Sequence, residues 1–332
     1  MCIGESIEKI DGLAITTGEA VYTDDYQIDG ELYVHIVRSP HAFAKILSID
    51  SSKLRGMHGI PGIELVLTWE DVPDVRFTVA GQSYPEPSPY DRKILDQIVR
   101  YVGDPVAIIA ATDKETAIDA ERKLKIEYEL MAPVLDPREA LTHNSIIHPE
   151  DDLLTHFDFG TDQKINVAGT YATGFGDIEE AYESSFIKLE RTYSSQAQAH
   201  AMMETYRSRA YLDDDSRLTL VTSTQIPFHV RRIAAQALEM KEENVRVLKP
   251  RIGGGFGGKQ SIVTELFAGI VTLRTGKPCK VVYNRKESFT CSSSRHMMEF
   301  KVKLGASADG IIEAIDLDCL SDTGAYGEHC WT

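Results

Sequence analysis

The chain has 332 residues, 42% of them hydrophobic, and its 35 Lys and Arg stand against 51 Asp and Glu for a net charge of −16 at pH 7. That hydrophobic share supports packed cores in two domains of ordinary size. The acidic balance repels polyphosphate backbones and anionic bilayers alike, which excludes nucleic acid and membrane surfaces as expected partners.

No stretch approaches the roughly 18 apolar residues that a membrane span needs. The opening MCIGESIEKIDG lacks a signal-peptide core, so the expected location is cytoplasmic. Cys2, Cys279, Cys291, Cys319 and Cys330 never form a C-x-x-C pair. A scattered odd set is neither a disulfide framework nor a zinc or iron–sulfur pattern, and these cysteines are expected to be reduced and mostly buried.

From Thr16 to about residue 130, short β-rich runs predict strands at ELYVHIVRS (31–39), IELVLTW (63–69) and PVAIIAAT (105–112). The helical stretch DKETAIDAERKL and the strand KIEYEL follow, giving an α+β unit. Residues 131–168 lack periodicity and carry Pro133, Pro137 and Pro149, the pattern of a linker. The expected division is therefore 1–130, 131–168 and 169–332.

The second unit opens with a helix in DIEEAYESS and continues with strands at FIKLERTY, SRAYL and LTLVTSTQ. In PFHVRRIAAQALEM, Val230, Ile233, Ala234 and Leu238 fall on one helical face. VRVLKPRI returns as a strand into GGGFGGKQ (253–260), from which SIVTELFAGIVTLRTGK leaves as a helix closed by Gly276 and Pro278. PCKVVYNR, HMMEFKVKLGA and GIIEAIDLDCLSDTGAY read as strands, the last two joined by an ASADG hairpin turn.

The glycine run carries the chemistry. From Gly253 to Lys259 it fits G-x-x-x-x-G-K, and strand–loop–helix is the setting a phosphate-cradling loop requires. Such a loop ends in Lys-Ser or Lys-Thr because the hydroxyl ligates magnesium, whereas Gln260 follows Lys259 here. A nucleotide-binding role is thus the weaker alternative, testable as magnesium-dependent ATP binding lost in Lys259→Ala. Five glycines at roughly 0.5–1 kcal/mol each against Ala exceed what packing of one strand on one helix asks. They predict a loop whose backbone approaches a bulky ligand, with Phe256 at its tip and a following helix N-terminus that favours negative charge.

The segment VTSTQIPFHVRRIAAQALEM, followed by KPRIGGGFGGKQ, resembles the molybdenum-cofactor-binding subunit of the xanthine dehydrogenase and aldehyde oxidase family, with bacterial xanthine dehydrogenases nearest. TTGEAVYTDDYQIDGELYVHIVRSPHAFAKI, LTWEDVPD, AQAHAMMET and SSSRHMMEFKVKLGASADG resemble that family in the same order. The resemblance covers the chain but only the first part of the family's subunit. It implies an α+β fold: an a/b hammerhead domain, then the first part of the molybdopterin-binding domain.

The implied activity is hydroxylation of a heterocycle, xanthine or another purine foremost, with water-derived oxygen. The implied cofactor is molybdenum–molybdopterin, in plain or cytosine dinucleotide form, with FAD and [2Fe-2S] clusters on partner subunits and a further polypeptide supplying the rest of the molybdenum subunit. Carried over by position, Gln225 and Phe256 lie at the metal, Gly255 and Gly257 give the cofactor access to the backbone, and Gln260 faces substrate. Gln260 departs from the glutamate of the animal enzymes and cannot carry a proton on and off.

Glu204 also matches a family position near the cofactor, though an isolated acid after an apolar pair is more often structural. Arg295 fits another, against the plainer reading of a surface or interdomain ion pair. His200 and His296 read as satisfied polar residues, since no second histidine sits at metal spacing. Nicotinate or aldehyde dehydrogenation within the same family, an inactive truncated product, and a scaffold built on the hammerhead domain are the alternatives.

Overall fold

A computed structural model describes residues 3–54, 59–81 and 83–330; Cys2 lies outside them. In chain order the strands are β1 (Leu32–Arg38), β2 (Ala44–Asp50), β3 (Ile63–Leu67), β4 (Ile98–Val99), β5 (Pro105–Ala111), β6 (Lys125–Leu130), β7 (Ile187–Ser195), β8 (Arg207–Leu212), β9 (Leu218–Thr222), β10 (Val245–Leu248), β11 (Cys279–Val282), β12 (Met297–Ala306) and β13 (Ile312–Asp322). The helices are α1 (Gly12–Thr17), α2 (Lys114–Glu121), α3 (Pro137–Ala140), α4 (Ile178–Ser184), α5 (Pro227–Ala237), α6 (Glu265–Thr275) and α7 (Arg285–Thr290).

Seven strands form one sheet in the order β10-β9-β8-β11-β1-β5-β3. Its seam is the parallel pairing of β1 with β11, Leu32 opposite Cys279 and Val34 opposite Val281. Strands from both sides of residues 131–168 therefore share a single hydrogen-bonded layer. β5 shows why it holds: Val106 to Ala111 are all fully buried, the continuous apolar run of a strand covered on both faces. Ile108 and Ala110 join the core under α5 and α6, while Val106, Ile109 and Ala111 join a second core with α2 and β2.

The remaining strands make two three-stranded sheets, β4-β2-β6 and β13-β12-β7. β2 was not predicted, because Leu47 is exposed and a register shift between Ile46 and Ser48 interrupts the alternation that marks a strand. α5 buries Val230, Ile233, Ala234 and Leu238, the face its spacing predicts. α6 ends at Gly276 in the left-handed region, φ 67°, as its Gly-Lys-Pro ending predicts. It starts only at Glu265, however, four residues after the glycine run. Glu265 fills its own helix start, Oε2 accepting from Val263 N at 2.8 Å and Thr264 N at 2.9 Å. The loop therefore does not run straight into the helix, and the Glu265 carboxylate sits at the helix start.

The cysteines need a correction too. Those described are free thiols, but only Cys279 and Cys291 are buried; Cys319 is exposed on β13 and Cys330 is half-buried.

The 131–168 stretch carries little regular structure beyond α3 and one 3-10 turn, yet it is pinned. Buried Arg100 donates to Asp96 Oδ2 at 2.8 Å and to the Ile147 carbonyl at 3.1 Å, and pairs with Glu150. Arg76 reaches Asp152 at 2.7 Å and the Asp91 carbonyl at 3.0 Å. Gly327 N donates to Asp91 Oδ2 at 2.6 Å, Tyr326 OH to Asp104 Oδ2 at 2.9 Å, and Arg92 pairs with Glu328 while lying 3.9 Å from the Tyr326 ring centroid. Three separate segments meet in this network.

Burial pushes the Asp91 carboxyl up to about 7. Burial, helped by Arg100, pushes His148 down to about 3, and its Nε2 donates to the Ala325 carbonyl at 2.8 Å. A histidine neutral when folded but charged once unfolded stabilises fully above its unfolded value near 6.5, and that contribution is lost as pH falls toward 3. His148→Gln is expected to reduce the drop in thermal midpoint between pH 7 and pH 5, followed by calorimetry. An unchanged pH slope would remove His148 from the acid response.

Candidate functional site

The glycine run hangs between two fixed points. Before it, Arg251 pairs with Asp11 and its N–H donates to the Val21 carbonyl at 3.0 Å, so the N-terminal segment holds the approach to the loop. Beside it, β9 runs out through Ser223, Thr224 and Gln225, and Gln225 N donates to the Lys259 carbonyl at 2.9 Å.

A Cβ added at Gly253 would come within 2.6 Å of Glu204 Cβ, at Gly255 within 2.3 Å of Gln225 Oε1, and at Gly258 within 2.7 Å of the His200 ring. At Gly253 and Gly258 the chain's own Glu204 and His200 occupy the space a Cβ would need, while at Gly255 the neighbour is the flexible end of Gln225. Gly254 (φ 95°) and Gly257 (φ 91°) are required by left-handed backbone instead. Phe256 joins them at φ 53°, the residue 72% exposed.

Lys259 settles the phosphate-loop alternative. Its side chain is fully buried and its Nζ lies 2.7 Å from Glu204 Oε2 and 2.6 Å from Ser223 Oγ. Burial lowers the ammonium below its ordinary range, while the adjacent Glu204 carboxylate opposes that shift. The same Glu204 oxygen accepts from Gly253 N at 2.8 Å and from Ser223 Oγ, and Glu204 N donates to the Gly253 carbonyl at 3.0 Å. A lysine committed in this way cannot reach a phosphate. Glu204 acts as the clamp beneath the loop, and Ser223, which no motif singled out, completes it.

Gln225 Oε1 accepts from Gly257 N at 3.2 Å, which brings Gln225, Gly255, Phe256 and Gly257 onto one loop. Gln260 is half-buried at the end of a 3-10 turn, its N–H donating to the Gly257 carbonyl at 3.0 Å. His200 packs on Gly258, and burial, with Arg295 and His329 nearby, lowers its affinity for a proton. Arg295 is exposed and joined through its backbone to Gln198. His296 Nδ1 and Nε2 sit 3.2 Å from Ser321 Oγ and 3.1 Å from the Glu328 carbonyl, a satisfied polar residue. His329, 2.8 Å from Ser261 Oγ just past the loop, has no sequence signal because 68 positions separate the two. Among the described residues no cluster of His, Cys, Asp and Glu could hold a metal by itself.

Removing one partner of a buried ion pair costs about 3–5 kcal/mol, because the other charge is stranded. Lys259→Met is therefore expected to lower unfolding free energy by that order, and Glu204→Gln added to it should restore a large part, measured by urea denaturation. Additive losses in the double variant would deny the clamp.

The molybdopterin cofactor-binding domain model matches residues 159–332, and the aldehyde oxidase and xanthine dehydrogenase a/b hammerhead domain model matches residues 17–131. The xanthine dehydrogenase molybdenum-binding subunit of Escherichia coli O157:H7 is 36% identical over 97% of the chain, which spans 41% of that relative's length. The nicotinate dehydrogenase large molybdopterin subunit of Eubacterium barkeri is 32% identical over 98% of the chain, which spans 72% of its length. The crystal structure of quinoline 2-oxidoreductase from Pseudomonas putida 86 superposes with a TM-score of 0.84 at 26% identity, covering 99% of the chain and 41% of that structure. The chain thus belongs to the xanthine dehydrogenase and aldehyde oxidase family of molybdenum oxidoreductases and carries its hammerhead and molybdopterin-binding segments.

Proposed function

We propose that the chain is the front part of the molybdenum subunit of a purine hydroxylase, with Gln225 and Phe256 at the metal and Gly255 and Gly257 along the cofactor. The observation that carries this is the state of Gln225. Its Oε1 is taken by Gly257 N, so its amide nitrogen remains a donor with no partner among the described residues. A neutral amide suits an oxygen ligand of a metal, since it donates without titrating.

Phe256 supports the same placement, being an apolar ring held in solvent on left-handed backbone that the chain itself does not cover. These residues fit a molybdenum–molybdopterin group, in plain or cytosine dinucleotide form. When bound, that group supplies the oxygen-transfer and redox chemistry. The chain's own part is to orient: Gln225 donates, the 255–257 backbone lies alongside, and Gln260 hydrogen-bonds the substrate ring without exchanging a proton with it. FAD and [2Fe-2S] subunits are the implied electron carriers, because the scattered cysteines here offer no cluster pattern.

A second reading is nicotinate hydroxylation, because the nicotinate dehydrogenase large molybdopterin subunit is 32% identical over 98% of the chain.

Produced together with the polypeptide that completes the subunit and with the electron-transfer subunits, the chain is expected to carry molybdenum and hydroxylate xanthine or hypoxanthine in preference to nicotinate. Gln260→Ala should lower kcat/KM for the purine about 10–100-fold, the value of one or two hydrogen bonds to substrate. Nicotinate turnover without purine turnover transfers the assignment to the second reading. Absence of molybdenum from every combination overturns both and leaves a truncated, inactive product.

A further inference from the structure

Arg38, the last residue of β1, turns its guanidinium onto two aromatic rings. Its Cζ lies 4.8 Å from the Tyr283 ring centroid and 5.9 Å from that of Phe267. Nη1 donates to the Gly103 carbonyl at 3.3 Å. Nε and Nη2 are shut off from solvent and have no hydrogen-bond partner among the described residues. Buried donors on a charged group are rarely left without an acceptor, and each such case calls for one.

The surrounding charges do not supply it. Arg38 lines a cavity of about 50 Å³ together with Arg92, Lys93 and Glu328. Glu328 is taken by Arg92, and Lys93 lies 2.5 Å from Asp74 and 3.9 Å from Asp152. Among the described residues no carboxylate pairs with Arg38. What faces it are the phenols of Tyr283 and Tyr101 and the Cys291 thiol. Burial pushes the Tyr283 phenol up to about 12 and drives Tyr101 upward as well, so both keep their protons at neutral pH. They can donate hydrogen bonds but bring no negative charge. A guanidinium taken out of water needs an anion beside it.

We propose that this cavity binds a small inorganic anion of chloride size on the Nε and Nη2 edge of Arg38, with the Tyr283 and Tyr101 hydroxyls as further donors. The volume holds a monoatomic ion with a water or two and excludes an organic acid or a nucleotide. The two outer donors of a guanidinium edge suit one acceptor placed between them. The site is independent of the functional reading above and joins separate parts of the chain. Arg38 closes β1, Phe267 lies on α6, Tyr283 follows β11 and Cys291 follows α7. Ser261, next to Gln260, lines the same cavity, so the ion lies close behind the glycine run.

The test compares anions at constant ionic strength. The chain, purified with whatever subunits accompany it, is melted in potassium chloride and in potassium gluconate, whose anion is too large for the cavity. Chloride is expected to raise the thermal midpoint by about 2–4 °C once it exceeds its dissociation constant about tenfold. Crystals in bromide at the same concentration should give an anomalous scattering peak beside Arg38. Arg38→Met should abolish the chloride shift and the peak, which separates a site from a general salt effect. In gluconate that variant should melt at or above the parent, since no buried charge is left without a partner.

Should Arg38→Met fail to fold, the salt comparison and the bromide peak in the parent still decide. Equal midpoints in the two salts overturn the proposal, and so does a bromide peak without a chloride shift, which marks an adventitious ion only. Ultraviolet absorbance of a thiolate at neutral pH that disappears in Cys291→Ser also overturns it, because Cys291 is then the counterion.

Discussion

The ion pair between Lys259 and Glu204 is the constraint on which the candidate site depends. One carboxylate oxygen receives the ammonium and the Gly253 N–H, and with them the Ser223 hydroxyl, so both ends of the glycine run are tied to one point. Between those ties three residues, Gly254, Phe256 and Gly257, take left-handed backbone. Such conformations cost of order 1–3 kcal/mol each for a non-glycine residue and persist only where the surroundings over-determine them. A buried charge pair is weak as a source of net stability but strong as a source of uniqueness, since any rearrangement of the loop would strand one partner. The outward placement of Phe256 and the contact of Gln225 with Gly257 follow from that clamp.

The same logic operates on a larger scale around Arg76, Arg92 and Arg100. These arginines gather residues 91–104, 147–152 and 326–328 into one buried network. Its consequence reaches the site: Glu328 is fixed by Arg92, and the next residue, His329, then lies within hydrogen-bond distance of Ser261. A polar cluster some distance from the loop thereby decides which side chains stand beside it. Desolvation of Asp91 and His148 is the cost of closing this cluster, and it appears as opposite shifts in their proton affinities.

Much of the architecture was readable in advance. Alternation and apolar runs located β1, β3, β5 and the later strands, and the spacing of Val230, Ile233 and Ala234 named the buried face of α5. β2 escaped because a bulge and an outward Leu47 broke its period. The glycine run is legible in the sequence, but the side chains that pack on it are not. Composition shows that side chains are missing; it does not show whether a ligand or the chain's own Glu204, Gln225 and His200 occupies the space. Lys259 is the clearest case, since the sequence places it at the end of a loop and only packing shows it turned inward to a glutamate 55 positions away. The parallel pairing of β1 with β11, Leu32 with Cys279 and so 279 − 32 = 247 positions apart, has no local signature at all.

Two features of this chain share one physical meaning. Phe256 stands exposed at the tip of a rigidly held loop, and the β13-β12-β7 sheet has an apolar face, with Tyr193, Ile315 and Leu317, that lies open to water. Neither arrangement lowers the free energy of a solitary chain, because each leaves apolar surface hydrated beside polar surface that could have taken its place. The net charge of −16 sets copies of the chain to repel one another. It does not account for why the surfaces exist. Rigidity at the loop and apolar exposure at the sheet are useful to a surface already shaped for an occupant, since a preformed site spends less of its binding energy on ordering itself. Phe256 and the apolar face of the β13-β12-β7 sheet are thus exposed on backbone that is already fixed.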